Sequence, residues 1–170
     1  MQTHIDFGNI SAEDFRFAIV VSRWNTELTG KLADGAIEAL RKSGAASDAV
    51  EIFHVPGAFE LPLGSMKAAE SGRFDAVIAL GVVIRGETPH FDFVAGQAAA
   101  GIMQASIETG VPVMFGVVTA DTPEQAAARC GGAVGNKGFE AAMSAIEMAN
   151  LAREIEAADE GEEEVFSHVV

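Results

Sequence analysis

At 170 residues, 49% hydrophobic and 21% charged, the chain has the size and composition of one well-cored globular domain. Its 11 basic against 25 acidic residues leave a formal charge of −14, which argues against nucleic acid as a partner because a phosphate backbone demands a basic surface. One cysteine, Cys130, excludes an internal disulfide, and no paired Cys or clustered His and Cys set offers ligands for a structural metal.

The first residues lack the basic and then apolar pattern of a signal peptide, and no apolar run is long enough to cross a bilayer. The expectation is a cytoplasmic protein that is neither secreted nor membrane-spanning. The first predicted element is a strand over residues 15–22, FRFAIVVS, whose near-continuous apolar content suits burial on both faces. Ser22-Arg23-Trp24-Asn25 closes it, and a helix follows with Leu28, Leu32, Ala36 and Leu40 on one face. A second strand is predicted over residues 49–55, then Pro56-Gly57-Ala58-Phe59-Glu60 and the start of another helix. The third strand, residues 76–84, runs into the polar segment Arg85 to His90 and a helix carrying Val94, Ala98, Ile102 and Ala105 on one face.

A fourth strand spans residues 112–119. Thr122-Pro123-Glu124-Gln125 then combines an N-cap hydroxyl, proline at the first helical position and a residue able to close a capping box. This short helix is expected to stop at Gly131-Gly132. The last helix is predicted from about Lys137 into the 150s, with Phe139, Met143 and Ile146 as its apolar stripe. Seven carboxylates between Glu154 and Glu164, with no Lys or Arg among them, read as a solvated, partly disordered acidic tail over residues 154–170. Residues 1–153 form the single expected domain. Strands alternating with helices imply a parallel sheet, and the fold class is α/β: a three-layer α/β/α sandwich of the flavodoxin-like kind, with a four-stranded parallel sheet.

In such sheets ligands bind beyond the carboxyl ends of the strands, which is where the polar residues fall. Trp24 is the only tryptophan; a lone Trp commonly fills a core, but Arg23 and Asn25 beside it suit a rim and a stacking role. Glu60 reads either as favouring a helix dipole or as accepting hydrogen bonds from a polyol. Gly86, Glu87 and Thr88 form a turn with exposed amides and a hydroxyl, an anion cradle to which Glu87 is expected to lend its amide while its side chain points away. His90 is the general acid/base candidate, its alternative being an ordinary surface residue. His4 and His168 lie near chain ends, and His54 lies within a strand. Arg129 and Lys137 flank the glycine-rich CGGAVGNKG and read as phosphate-holding cations or as plain surface charge. Phe115, inside the fourth strand, reads as core packing.

Taken together, RWN at 23–25, VPGAFELP at 55–62, GVVIRGETPHFDFV at 81–94, FGVVTADTPEQAAAR at 115–129 and GNKGFEAA at 135–142 closely resemble the lumazine synthase family, in order over nearly the whole chain. The resemblance implies condensation of 5-amino-6-(D-ribitylamino)uracil with 3,4-dihydroxy-2-butanone 4-phosphate, the penultimate step of riboflavin biosynthesis, with no metal and no cofactor. It implies that Trp24 stacks on the pyrimidine with Asn25 beside it. Ala58, Phe59 and Glu60 would hold the ribityl chain and ring, and Val82, Val83 and Ile84 would bond the uracil edge. Gly86, Glu87 and Thr88 would bind the butanone phosphate, and His90 would transfer protons. By the same resemblance Phe115, Arg129 and Lys137 reach the pocket from an adjacent subunit, Arg129 pairing the phosphate. The implied assembly is a pentamer, free or as twelve pentamers in an icosahedral shell. A flavin- or lumazine-binding module without turnover and a shell-forming protein without catalysis are the competing readings.

Overall fold

The computed structural model describes the backbone of residues 10–167 and the side chains of residues 10–158. His4, His168 and the side chains of the acidic tail from residue 159 onward therefore lie outside the described residues. The four apolar runs form β1 (Phe17–Ser22), β2 (Val50–Val55), β3 (Ala76–Ile84) and β4 (Val113–Ala120), all parallel in the order β2-β1-β3-β4. The central pair, β1 and β3, is buried along its length except at Ile84, which is why those runs carry almost no polar residue. The edge strand β2 is largely open to solvent.

Among the described residues the α-helices are α1 (Thr26–Lys42), α2 (Leu61–Glu70), α3 (His90–Thr109), α4 (Pro123–Arg129) and α5 (Lys137–Ser167), which flank the sheet. Alternate strand residues point to opposite faces, and two cores result. Phe17, Ile19, Ile78 and Leu80 pack with Leu32, Ala36 and Leu40 of α1 and Ile146 of α5. Val20, Val77 and Ala79 pack on the other face with Leu61 of α2 and Ile102 and Ala105 of α3. The chain is thus a three-layer α/β/α sandwich of the flavodoxin-like kind. Among the described residues no helix is long and apolar enough to cross a membrane.

The segment from residue 122 onward departs in detail from the sequence-based expectation. Thr122 Oγ1 accepts the N–H of Gln125 at 3.2 Å, and Pro123 opens α4. The Gln125 side chain, however, reaches the N–H of Asp121 at 2.9 Å, one residue ahead of the reciprocal capping-box partner. The helix stops at Arg129, because Cys130–Gly132 (β5) pairs antiparallel with Gly135–Asn136 (β6). Gly131 and Gly135 both sit at a φ of 95°, a backbone state that only glycine adopts freely. Asn136 then caps α5: its Oδ1 accepts the N–H of Gly138 at 2.8 Å and of Phe139 at 3.1 Å, while its Nδ2 donates to the Lys31 carbonyl at 2.8 Å.

α5 continues to Ser167, beyond the expected end in the 150s; its run of Ala and Glu residues favours helix and contains no proline to stop it. Arg153, with its guanidinium 3.6 Å over the Phe15 ring, and Asn150, bonded to the Ser11 carbonyl at 2.9 Å, tie α5 to the segment before β1.

α5 starts so close to α1 that a Cβ on Gly138 would overlap the Leu32 carbonyl. Gly138→Ala is expected to destabilise the fold by about 3 kcal/mol, the upper part of the usual overpacking range. Thermal melting checks this, with Gly30→Ala as the control, since nothing lies within 4 Å of the added carbon there.

Candidate active site

The sheet's strand order reverses between β1 and β3, and at that switch point the two strands end at different heights. The last paired residues of β1 and β3 are Val21 and Leu80, whereas β3 pairs with β4 as far as Ile84 and Ala120. Residues 81–84 therefore border no strand on the β1 side. Asn25, in the left-handed region at φ 59°, turns the chain into α1 and donates from Nδ2 to the Val82 carbonyl at 3.0 Å. Asn is among the few residues that tolerate this conformation. Val82 and Val83 are buried, so this strand end offers backbone groups rather than side chains.

The loop after β1 is tied to the end of β2, because Arg23 N–H donates to the Val55 carbonyl at 2.9 Å and Trp24 N–H to the Pro56 carbonyl at 3.2 Å. Trp24 does not fill the core: it is 74% exposed, with Cδ1 3.9 Å from where a Cβ of Gly57 would stand. Ala58 is buried beneath the same loop and Phe59 is 57% exposed. Glu60 Oε2 accepts the Gly57 N–H at 3.0 Å, which leaves Oε1 without a hydrogen-bond partner among the described residues. This bond closes the single 3-10 turn Ala58–Glu60 and makes no side-chain cap of α2, and one oxygen stays available. Gly86, Glu87 and Thr88 are exposed in the turn between β3 and α3, and exposed His90 opens α3, its N–H 3.4 Å from Thr88 Oγ1. His54 lies within the open edge strand β2, one residue before its last.

A second cluster lies beside β4. A cleft of about 390 Å³ is lined by Phe115, Thr119, Arg129, Lys137, Glu140 and Ser144 among others, and by none of Trp24, Phe59 or His90. Phe115, which its place inside a strand assigns to the core, is instead 46% exposed in this cleft. Lys137 Nζ is paired with Glu140 at 2.6 Å. Arg129 spends one donor on the Gln125 carbonyl at 2.9 Å and makes no ion pair among the described residues. Its half-buried fork is the free cation of the cleft, suited to a bidentate anion. Cys130 beside it is buried, and burial pushes its thiol above the ordinary value, so it does not supply a nucleophile. Among the described residues no three His, Cys, Asp or Glu side chains stand together as a metal site.

Sequence reasoning passed over Arg85. Its Nε donates to Asp121 at 2.9 Å and its two terminal nitrogens to the Asp92 oxygens at 3.3 and 3.2 Å. These bonds, Asp92 foremost, raise its pKa further above the usual range. An arginine next to the glycine of the 86–88 turn was the available signal, but its partners are 7 and 36 residues away and no spacing rule finds them.

Sheet order and loop placement define a doubly wound α/β protein with its candidate site residues at the switch point and along one edge strand. The family model described as 6,7-dimethyl-8-ribityllumazine synthase matches residues 14–153. The 6,7-dimethyl-8-ribityllumazine synthase of Chlorobium luteolum is 55% identical over 146 residues, covering 86% of this chain and 94% of that one. That of Desulfatibacillum aliphaticivorans is 53% identical over 147 residues, covering 86% and 95%. The chain belongs to the 6,7-dimethyl-8-ribityllumazine synthase family.

Proposed function

We infer that the protein condenses 5-amino-6-(D-ribitylamino)uracil with 3,4-dihydroxy-2-butanone 4-phosphate to 6,7-dimethyl-8-ribityllumazine, the penultimate step of riboflavin biosynthesis. The observation that carries this reading is the family match over residues 14–153, within which every candidate site residue falls.

In this reading Trp24 stacks on the pyrimidine, and the unpaired edge of residues 82–84, with Asn25 already on Val82, bonds the uracil. Ala58, Phe59 and the free oxygen of Glu60 hold the ribityl chain. The amides and hydroxyl of Gly86, Glu87 and Thr88 receive the phosphate. The uracil's amine attacks the ketone and water leaves to give an imine; phosphate departs by elimination; the second amine closes the ring with loss of a further water. Each step needs a proton moved, and His90, two residues beyond Thr88 at the end of the phosphate turn, is the group to move it. No metal or cofactor enters the reaction, and much of the acceleration comes from holding two reactants in attack geometry.

Phe115, Arg129 and Lys137 line a cleft apart from the aromatic loops, which supports a site completed by an adjacent subunit. Exposed Ile52, Phe53, Phe93, Met103 and Ile107 are apolar surface for such a contact. The assembly is a homopentamer, and light scattering separates free pentamers from a sixty-subunit shell. Residues 1–153 act as the one catalytic domain in the cytoplasm, with residues 154–170 a solvated acidic end.

Mixing the two substrates and following the absorbance and fluorescence of the lumazine tests the assignment; ligand binding without product overturns it. His90→Ala is expected to lower kcat by about a hundredfold, the low end of what a positioned acid/base supplies, without abolishing turnover. Steady-state kinetics check this, and an unchanged kcat removes His90 from proton transfer.

A further inference from the structure

We propose that Arg85 is a positioning residue, which fixes the phosphate-binding turn and the His90 end of α3 against the β4–α4 junction and offsets two carboxylates beside that turn. The inference rests on the reaction proposed above.

Arg85 is the first residue beyond β3. Its N–H donates to the Ala120 carbonyl at 2.9 Å, which extends the β3–β4 pairing by one step and aims the side chain across the strand ends. The fork then holds Asp92 with both terminal nitrogens and Asp121 with Nε, and the guanidinium carbon stands 4.1 Å over the Phe91 ring. Phe91 is partly buried against the core beneath. The first turn of α3 is thus anchored below by Phe91 and gripped above through Asp92, two residues after His90.

The same fork reaches toward the other cluster. Asp121 N–H is bonded to the Gln125 side chain at 2.9 Å, and the Gln125 carbonyl receives Arg129 at 2.9 Å. One planar side chain therefore sets His90 and the start of the Arg129 helix in a common frame. Lysine, a point charge without a fork, cannot bridge both carboxylates in this geometry. Charge is the second part of the role. Asp92 and Asp121 flank the turn that takes an anionic substrate, and with Arg85 removed both repel it unopposed.

These are exposed ion pairs, which contribute little to stability, so the effect is expected in kinetics and not in melting. Arg85→Gln is expected to raise KM for the butanone phosphate about tenfold and lower kcat about tenfold, with KM for the uracil within about twofold and an unchanged melting temperature. Arg85→Lys restores the phosphate KM but not kcat, and Asp92→Asn added to Arg85→Gln recovers part of the KM. Hydrogen exchange over residues 86–92 of the intact protein reads the positioning without turnover: Arg85→Gln speeds it there and leaves α1 unchanged. Unchanged exchange at 86–92, or equal rises in both KM values with a lowered melting temperature, overturns the proposal. Absence of lumazine formation by the parent protein is a different result, which overturns the reaction assignment.

Discussion

Arg129→Ala is expected to lower kcat/KM for the butanone phosphate by about a hundredfold while leaving uracil affinity within about twofold. A charge-assisted bond from a guanidinium fork to an oxyanion is worth about 3 kcal/mol, which corresponds to that factor. The assignment to one substrate follows from the local charges. Lys137 is already paired with Glu140, whereas Arg129 has only the Gln125 carbonyl, and the chain as a whole carries −14. Arg129 is therefore the cleft cation that no carboxylate neutralises among the described residues. Arg129→Lys keeps the charge and loses the fork, so it should fall between the two. Steady-state kinetics with each substrate varied in turn decide the matter, and equal losses for both would contradict this division of labour.

Trp24→Ala and Arg129→Ala chains, each poorly active alone, are expected to regain activity when assembled together. A site formed between an Arg129→Ala subunit giving its intact Trp24 and a Trp24→Ala subunit giving its intact Arg129 lacks nothing. Random mixing at equal amounts makes about a quarter of the interfaces of this kind, as follows for head-to-tail contacts in a ring. The basis is the cleft beside β4, which gathers Phe115, Arg129 and Lys137 and excludes Trp24, Phe59 and His90. Co-expression of differently tagged chains, isolation of the mixed assemblies and assay for lumazine would test it. Activity no higher than either variant alone would mean that one chain supplies both halves of its own site.

The fold was legible because its two central strands are buried on both faces. Runs such as AVIALGVVI can satisfy their side chains only in a sheet centre, and the observed limits of β3 match residues 76–84. The helix faces were equally plain, since Leu32, Ala36 and Leu40 recur at the helical period and all three are fully buried. Strand ends named most of the candidate site for the same reason.

What escaped depends on through-space partners or on exposure. Phe115 looks like any apolar strand residue, and only its place on the edge strand beside a cleft distinguishes it. The β5–β6 hairpin rests on two glycines at positive φ, which in sequence resemble a simple helix stop. The Gln125 side chain chose Asp121 instead of the capping-box donor, and Arg85 found Asp92 and Asp121 through tertiary contact alone.

The placement of the aromatic loops at the ends of β1 and β2, and of the arginine cleft along β4, makes every chain directional. An open row of such chains leaves a vacant platform at its head and an idle arginine at its tail. In the closed pentamer proposed above both ends vanish, so if that assembly holds, turnover per chain should fall on dilution before any chain unfolds.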